Sequence, residues 1–296
     1  MIVGVLYAFA AASGFALFQL TNRRALHGVD VYRGTLQLLV AGTTTLTLIA
    51  LVTGSFSALA AASGRSVLMA AIAGFVHFFL GWTLLGAGQT RIGVARTSAL
   101  LGTMPLWGAL VATLFLGQAF TARHLGGLVF VIAGVAVVAL NRPVDGIRPP
   151  GSVTGVASGL GTALCWGSSP VFVFGALETI DSPLMVALIG MAASTVVYGA
   201  LVAVAPGRAR RAAVSRRTWA LAALAGTFVA TGIWMMWTAF EHTPVAVALA
   251  ILQFTPPMVA LAARWFARDE ASGSLVRLWI GIAGIVGGSW ILVTAT

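Results

Sequence analysis

The sequence predicts an all-α integral membrane protein of ten transmembrane helices, arranged as two inverted five-helix repeats. Three observations support this prediction. The composition is 59% hydrophobic and 8% charged, and the mean hydropathy is +0.99, which lies well outside the range of soluble domains. The chain divides into long apolar segments joined by short polar stretches. Its two halves also match each other at a nearly constant shift of about 152 residues.

The internal repeat sets the predicted domain organisation. Each half contains five long apolar segments, and an odd number of crossings forces two similar halves into opposite orientations across the bilayer. We therefore predict a first five-helix repeat over residues 1–145 and a second, inverted repeat over residues 146–296, which form one transport unit. At a shift of 152 residues the matched pairs are Trp82 with Trp234, Ala87 with Ala239, Leu100 with Leu252, Thr103 with Thr255, and Pro105 with Pro257.

Each apolar segment is long enough to cross a bilayer as a helix, since about 20 residues at 1.5 Å rise cover roughly 30 Å of hydrocarbon. The segments are rich in Gly, Ala and Leu and do not alternate apolar with polar residues, which favours helices over barrel strands. Small-residue pairs such as Gly155 with Gly159 and Gly284 with Gly288 predict close helix packing. The ten predicted spans are residues 3–20, 32–53, 67–86, 94–116, 123–140, 152–175, 183–205, 218–240, 244–266 and 275–295.

The basic residues predict the topology. All 17 are arginines, and only Arg65 and Arg123 lie outside the joints that follow the odd-numbered spans. By the positive-inside rule these joints face the cytoplasm, so both termini are expected on the non-cytoplasmic side of an inner (plasma) membrane. The arginine cluster at residues 208–217 fits a cytoplasmic membrane flank better than a nucleic-acid surface. We therefore expect the lipid bilayer, and no nucleic acid, as a partner.

A family resemblance is carried by the stretch from Leu249 to Glu270. It resembles the closing pattern of the EamA-type drug/metabolite transporter superfamily, in which a small-residue run and a mid-helix proline precede a glutamate at the helix end. Pro257 and Glu270 match this pattern in the second half. In the first half Pro105 matches, but Gln118 stands where the acid would be.

The resemblance implies a ten-helix carrier with a central cavity that works by alternating access. Within the superfamily the chain is most similar to amino-acid and metabolite exporters, including the YddG-like group that exports aromatic amino acids. The implied function is export of small organic solutes, chiefly aromatic or other apolar amino acids and related metabolites. We expect the protein to be a monomer. Multidrug or cation efflux, or a lipid or nucleotide-sugar type carrier of the same fold, is the alternative.

Polar stripes indicate which helix faces could line such a cavity, because polar groups inside a membrane face protein or water. In the sixth span the stripe predicts Ser158, Thr162 and the adjacent Trp166 as substrate contacts, and in the eighth span it predicts Thr231 and Trp234. The alternative is that each hydroxyl donates to a backbone carbonyl one turn back or to a neighbouring helix.

His77 and Gln253 are further candidate substrate contacts. His77 is the only histidine deep within a span, and it could bind a solute carboxylate or carry a proton, or it could donate to a backbone carbonyl. Gln253 precedes the Pro256–Pro257 break and could bind the solute or satisfy freed backbone. Trp82 could stack on an aromatic or cationic solute. Pro105 and Pro257 are expected to allow helix bending during gating.

Absent motifs limit the mechanism. The first span carries no acid, only Gln19 and Asn22 near its end, so coupling through an acid there is excluded. No Walker sequence and no acidic cluster is found, so we expect no nucleotide, metal or other cofactor. Facilitated diffusion and proton exchange through His77 both remain open. An intramembrane hydrolase with Ser158 as nucleophile is a poorer match, because similar Ala-Ser-Gly sequences recur by chance. We therefore predict that the protein is not an enzyme.

Overall fold

The computed structural model describes residues 2–25, 29, 31–116, 121–140, 152–204, 215–242, 248, 251–266 and 274–294. Within these ranges every regular element is a helix, as the sequence predicts. Three features of the sequence prediction lie outside the described residues: Gln118, Glu270 and the junction between residues 145 and 146.

The helices follow the predicted spans closely. A 3₁₀ helix (Ser55–Leu59) precedes the third span, and a π-helical turn (Phe75–Leu80) interrupts it. In chain order the α-helices are α1 (Ile2–Ala25), α2 (Val31–Thr53), α3 (Gly64–Gly74), α4 (Gly81–Ile92), α5 (Val94–Leu101), α6 (Met104–Leu116), α7 (Ala122–Leu140), α8 (Ser152–Ser168), α9 (Pro170–Leu177), α10 (Pro183–Val204), α11 (Arg216–His242), α12 (Thr255–Phe266) and α13 (Leu275–Thr294).

Six helical stretches of the described chain are long and apolar enough, by length and composition, to cross a membrane. They coincide with the first, second, third, sixth, seventh and eighth predicted spans. The other predicted spans correspond to shorter or broken helices: α5 and α6 share the fourth, while α7 and α13 contain the apolar stretches Leu125–Val137 and Leu275–Gly288. The ninth begins at residue 244, outside the described residues. The count of ten crossings therefore stays a prediction.

Equivalent helices of the two halves make nearly the same packing contacts. Helix α1 packs along α11, and the equivalent pair in the exchanged halves, α8 with α4, packs in the same way. Two further contacts join equivalent helices directly, α2 with α10 and α7 with α13. In the first of these, Thr43 Oγ1 and Thr195 Oγ1 form a 2.9 Å hydrogen bond between residues 152 positions apart. Because that separation equals the repeat shift, the bond joins equivalent residues of the two halves.

Glycines allow the closest of these helix contacts. A Cβ atom added to Gly134 would lie 2.7 Å from the carbonyl oxygen of Gly281, and one added to Gly288 would lie 2.6 Å from that of Gly127. Added Cβ atoms at Gly155 and Gly159 would lie 2.6 Å from Ile92 and 2.9 Å from Leu100. Helix backbones thus approach closely at these glycines, as small residues permit where no hydrophobic effect drives association.

The main core lies where α1, α2, α4, α8, α10 and α11 meet. Its largest fully buried side chains include Phe18, Phe78, Trp82, Tyr198 and Trp237. Tyr198 on α10 hydrogen-bonds to Thr83 on α4. The cavity described next lies beside this core.

Candidate functional site

Three helix breaks in the described chain meet at one place in the fold. The first separates α5 from α6 at Gly102 and Thr103, the second separates α8 from α9 at Ser169, and the third is a turn at Gln253 and Phe254 before α12. A proline follows each break within three residues, and it has no N–H with which to continue the helical hydrogen bonding. The prolines in the sequence therefore account for the breaks, and the breaks leave backbone polar groups without their helical hydrogen bonds.

A partly open cavity lies where these breaks meet, and the empty space within it, open solvent included, is about 660 Å³. Its polar lining residues are Gln19, His77, Ser98, Gln253 and Thr255. Its apolar lining residues are Phe15, Leu101, Met104, Trp166, Pro170, Val229, Met236 and Leu252, together with Gly102. No lining residue in the described chain carries a formal charge.

The π-helical turn shapes the side of the cavity that it lines. The Gly81 N–H donates to the carbonyl of Val76, five residues back, instead of to His77, four residues back as in an α-helix. The carbonyl oxygen of His77 is thereby available, and the Trp166 indole Nε1 donates to it at 3.1 Å. Gly81 is needed for this contact, since a Cβ atom there would lie 2.5 Å from Trp166 Nε1. The turn therefore positions Trp166 at the cavity.

Ser169 links His77 to the carbonyl of Trp166. Because Pro170 has no N–H, this carbonyl lacks its helical donor, and Ser169 Oγ lies 3.2 Å from it. Ser169 Oγ also lies 2.8 Å from His77 Nδ1. If the single hydroxyl proton goes to the carbonyl, the Ser169 oxygen accepts from Nδ1–H, and Nε2 keeps a lone pair. The His77 and Trp166 rings also stack, with centroids 5.2 Å apart and an interplanar angle of 10°.

Three of the predicted substrate contacts line the cavity: His77, Trp166 and Gln253. All three are buried, on different helical segments. Of the two predicted bending prolines, Pro105 is the second residue of α6 and Pro257 the third residue of α12, each just after a helix break. The structure thus brings three of the eight predicted substrate contacts together at the cavity.

The other five predicted contacts lie away from the cavity lining. Trp82 is 1% exposed and packs against Phe18 and Phe78, while Trp234 packs at the edge of the main core. The three hydroxyls donate to backbone carbonyls one turn back: Ser158 to Thr154 at 2.7 Å, Thr162 to Ser158 at 2.9 Å, and Thr231 to Thr227 at 2.8 Å. Their role as substrate contacts stays a prediction.

Sequence reasoning missed Gln19, Ser98 and Thr255 as lining residues. Gln19 and Ser98 lie close to the ends of their predicted spans, where polar residues are ordinary. Thr255 directly precedes the Pro256–Pro257 pair and matches Thr103 in the repeat, so the proline signal could have found it. Among the described residues, no three His, Cys, Asp or Glu side chains lie close enough together to hold a metal ion.

Comparisons with known proteins agree with this architecture. A family model described as the EamA-like transporter family matches residues 2–140 and, a second time, residues 153–294. Sixteen chains of solved structures are similar. One, a crystal structure described only as that of a protein, has a TM-score of 0.69 and 16% identity, and the match covers 97% of this chain and 94% of that chain. At this identity the likeness shows the fold alone. A search of curated proteins finds no match.

Proposed function

The chain belongs to the EamA-like transporter family, and we propose that it exports small organic solutes, chiefly aromatic or other apolar amino acids, by alternating access. The family and the six long apolar helices indicate a multi-pass membrane transporter of small solutes. The solute class and alternating access are proposed here. One observation carries the proposal: three helix breaks meet around one cavity.

Broken helices at mid-membrane are a common basis of solute sites in transporters, because irregular backbone is tolerated there only when it faces protein or a cavity. Here the breaks at Gly102 and Gln253 occur in equivalent spans of the two halves. Phe15 and Trp166 line the cavity and provide aromatic surface for an apolar side chain of the solute.

Alternating access is proposed as a rocking motion of residues 1–145 against residues 146–296, in the two inverted repeats of a ten-helix chain. The contacts that persist on exchange of the halves support this, because two similar packings of the same elements can differ little in free energy. Pro105 and Pro257 would allow α6 and α12 to bend at their first turns. Arginine placement supports an inner membrane with both termini on the non-cytoplasmic side.

In the conformation described, His77, Trp166 and Gln253 are the proposed solute contacts. His77 Nε2 is the ring nitrogen left for the solute, since Nδ1 is already bonded to Ser169. Trp82, Ser158, Thr162, Thr231 and Trp234 would contact the solute only after the halves move. No cofactor, nucleotide or catalytic step is part of the proposal, and the protein is proposed to act as a monomer.

The test uses purified protein in liposomes preloaded with labelled amino acids and drug-like cations, with efflux followed with and without a pH gradient. We expect amino-acid efflux that exceeds protein-free liposomes and that falls about tenfold in His77→Ala and Trp166→Ala. Trp290→Ala is the matched control, because Trp290 is 49% exposed and lies on α13, away from the cavity. Efflux of cations without amino acids would replace the proposed solute class, and efflux driven by the pH gradient would assign proton exchange.

A further inference from the structure

Two buried polar side chains of the cavity lining lie on helices that are next to arginine-rich joints in the sequence. Gln19 is one helical turn before Arg23 in α1, and Ser98 is one turn into α5. Gln19 is 1% exposed and Ser98 is fully buried. Gln19 Oε1 and Ser98 Oγ have no hydrogen-bond partner within the described part of the chain. Such groups are destabilising in surroundings without water unless something binds them, and both residues line the cavity.

A helix break places paired partial charges at the same cavity. Leu101 ends α5 and Met104 begins α6, and both residues line the cavity. Helix α12 begins at Thr255, which also lines it. A helix start carries a partial positive charge and a helix end a partial negative charge. The break between α5 and α6 therefore presents both signs, in a lining without a formally charged side chain among the described residues.

We infer that the cavity selects a zwitterionic head group, an ammonium and a carboxylate on one carbon atom, and that Gln19 and Ser98 bind it. This inference rests on the proposed function and assigns the residues that recognise the amino-acid head group. The Gln19 amide can donate to the carboxylate and accept from the ammonium, and the Ser98 hydroxyl can donate to the carboxylate. A lone organic cation or anion finds no side-chain counter-charge there, so its desolvation is not offset.

The experiment compares three solutes that share one side chain. From a mixture of the twenty labelled amino acids in proteoliposomes, the one with the fastest efflux is selected. Binding of this amino acid to the purified protein is then measured in competition with its decarboxylated amine, which is a cation, and its deaminated acid, which is an anion. We expect each analogue to compete at a concentration at least tenfold higher than the amino acid itself.

Variants connect this selectivity to the two residues. Gln19→Leu and Ser98→Ala are expected to weaken amino-acid binding about tenfold and fivefold, while Gln19→Glu is expected to improve binding of the amine about tenfold because it adds a carboxylate. Gln37→Leu is the matched control and should stay within twofold of wild type. Gln37 is also a buried glutamine whose Oε1 has no partner among the described residues, but it lies outside the cavity lining. Thermal unfolding in detergent shows that each variant is folded.

The outcomes separate the two proposals. If the wild-type protein moves no amino acid, the proposed function fails and the inference fails with it. If amino acids are transported but the amine competes equally well, the inference is overturned while the proposed function stands. If Gln19→Leu and Ser98→Ala are folded and bind the amino acid like wild type, another part of the cavity recognises the head group.

Discussion

The two halves of the cavity wall share their backbone plan and differ in their side chains. The fourth span breaks at Gly102 and Thr103, and the equivalent ninth span breaks at Gln253 and Phe254. The lining residues at equivalent positions nevertheless differ in chemistry. In first-half then second-half order they are His77 and Val229, and Leu101 and Gln253. The repeat therefore supplies a symmetric opening, and the unequal side chains make its two walls chemically distinct.

The third and eighth spans show the largest difference. The third contains the π-helical turn, whereas its equivalent α11 is one α-helix from Arg216 to His242. Gly81, which ends the turn, corresponds to Ile233, which is fully buried. The second half thus accommodates an isoleucine side chain at the position where the first half requires glycine.

Substitution of Gly81 is the strongest way to break this comparison. In Gly81→Ala the new Cβ atom would lie 2.5 Å from Trp166 Nε1, so the indole must move from the His77 carbonyl. We expect the free energy of unfolding to fall by about 1–3 kcal/mol and transport to fall by more than about tenfold. Gly199→Ala is the control, since nothing lies within 4 Å of a Cβ atom there. Equal thermal midpoints and equal transport for the two variants would refute the proposed role of the π-helical turn.

The equivalent pair His77 and Val229 tests whether the asymmetry matters for transport. His77→Val makes the two walls alike and removes the hydrogen-bonding ring, so we expect about a tenfold rise in the solute concentration for half-maximal transport. Val229→Ala removes only apolar contact, and about a threefold change is expected. Concentration-dependent efflux from proteoliposomes measures both. Similar effects of the two substitutions would indicate that the walls act equivalently.

The Ser169 hydroxyl tests the orientation of the imidazole. Ser169→Ala removes the acceptor of His77 Nδ1–H and the donor to the Trp166 carbonyl, which should weaken transport about threefold to fivefold. Ser168→Ala provides the comparison, because Ser168 Oγ donates only to carbonyls of its own helix, and its effect should be below twofold. Nitrogen NMR of labelled histidine should report Nδ1–H in the wild type. A mixture of tautomers there would contradict the assignment.

The smallest effect is expected for a substitution at the contact between α2 and α10. Thr43→Val removes the hydrogen bond to Thr195, and interhelical bonds of this kind contribute about 0.6 kcal/mol. We expect a slightly lower thermal midpoint in detergent and unchanged transport. Thr47→Val, in which only a bond to a carbonyl of its own helix is lost, is the reference. A large loss of transport would show that this contact changes during the transport cycle.

Most of the fold could be predicted from sequence because apolar length and the repeat are local, additive signals. The site could be predicted only in part. His77, Trp166 and Gln253 stand out as polar or aromatic residues deep in apolar spans, and all three line the cavity. A polar stripe identifies a helix face but not its neighbour, so Ser158 and Thr231 could not be told apart from residues bonded within their helices. No proline in the sequence marks the π-helical turn, and Gln19 lies near the end of a predicted span.

The Thr43–Thr195 hydrogen bond has a consequence for protein engineering. A contact between equivalent residues can be written with a single half-sequence, since a chain assembled from two copies of the first half would carry threonine at both positions. The same codon change, made in both copies, would then alter both partners. The α2–α10 contact is thus a starting point for a fully symmetric version of this molecule, in which the cavity walls become identical and the second-half side chains can be restored one at a time.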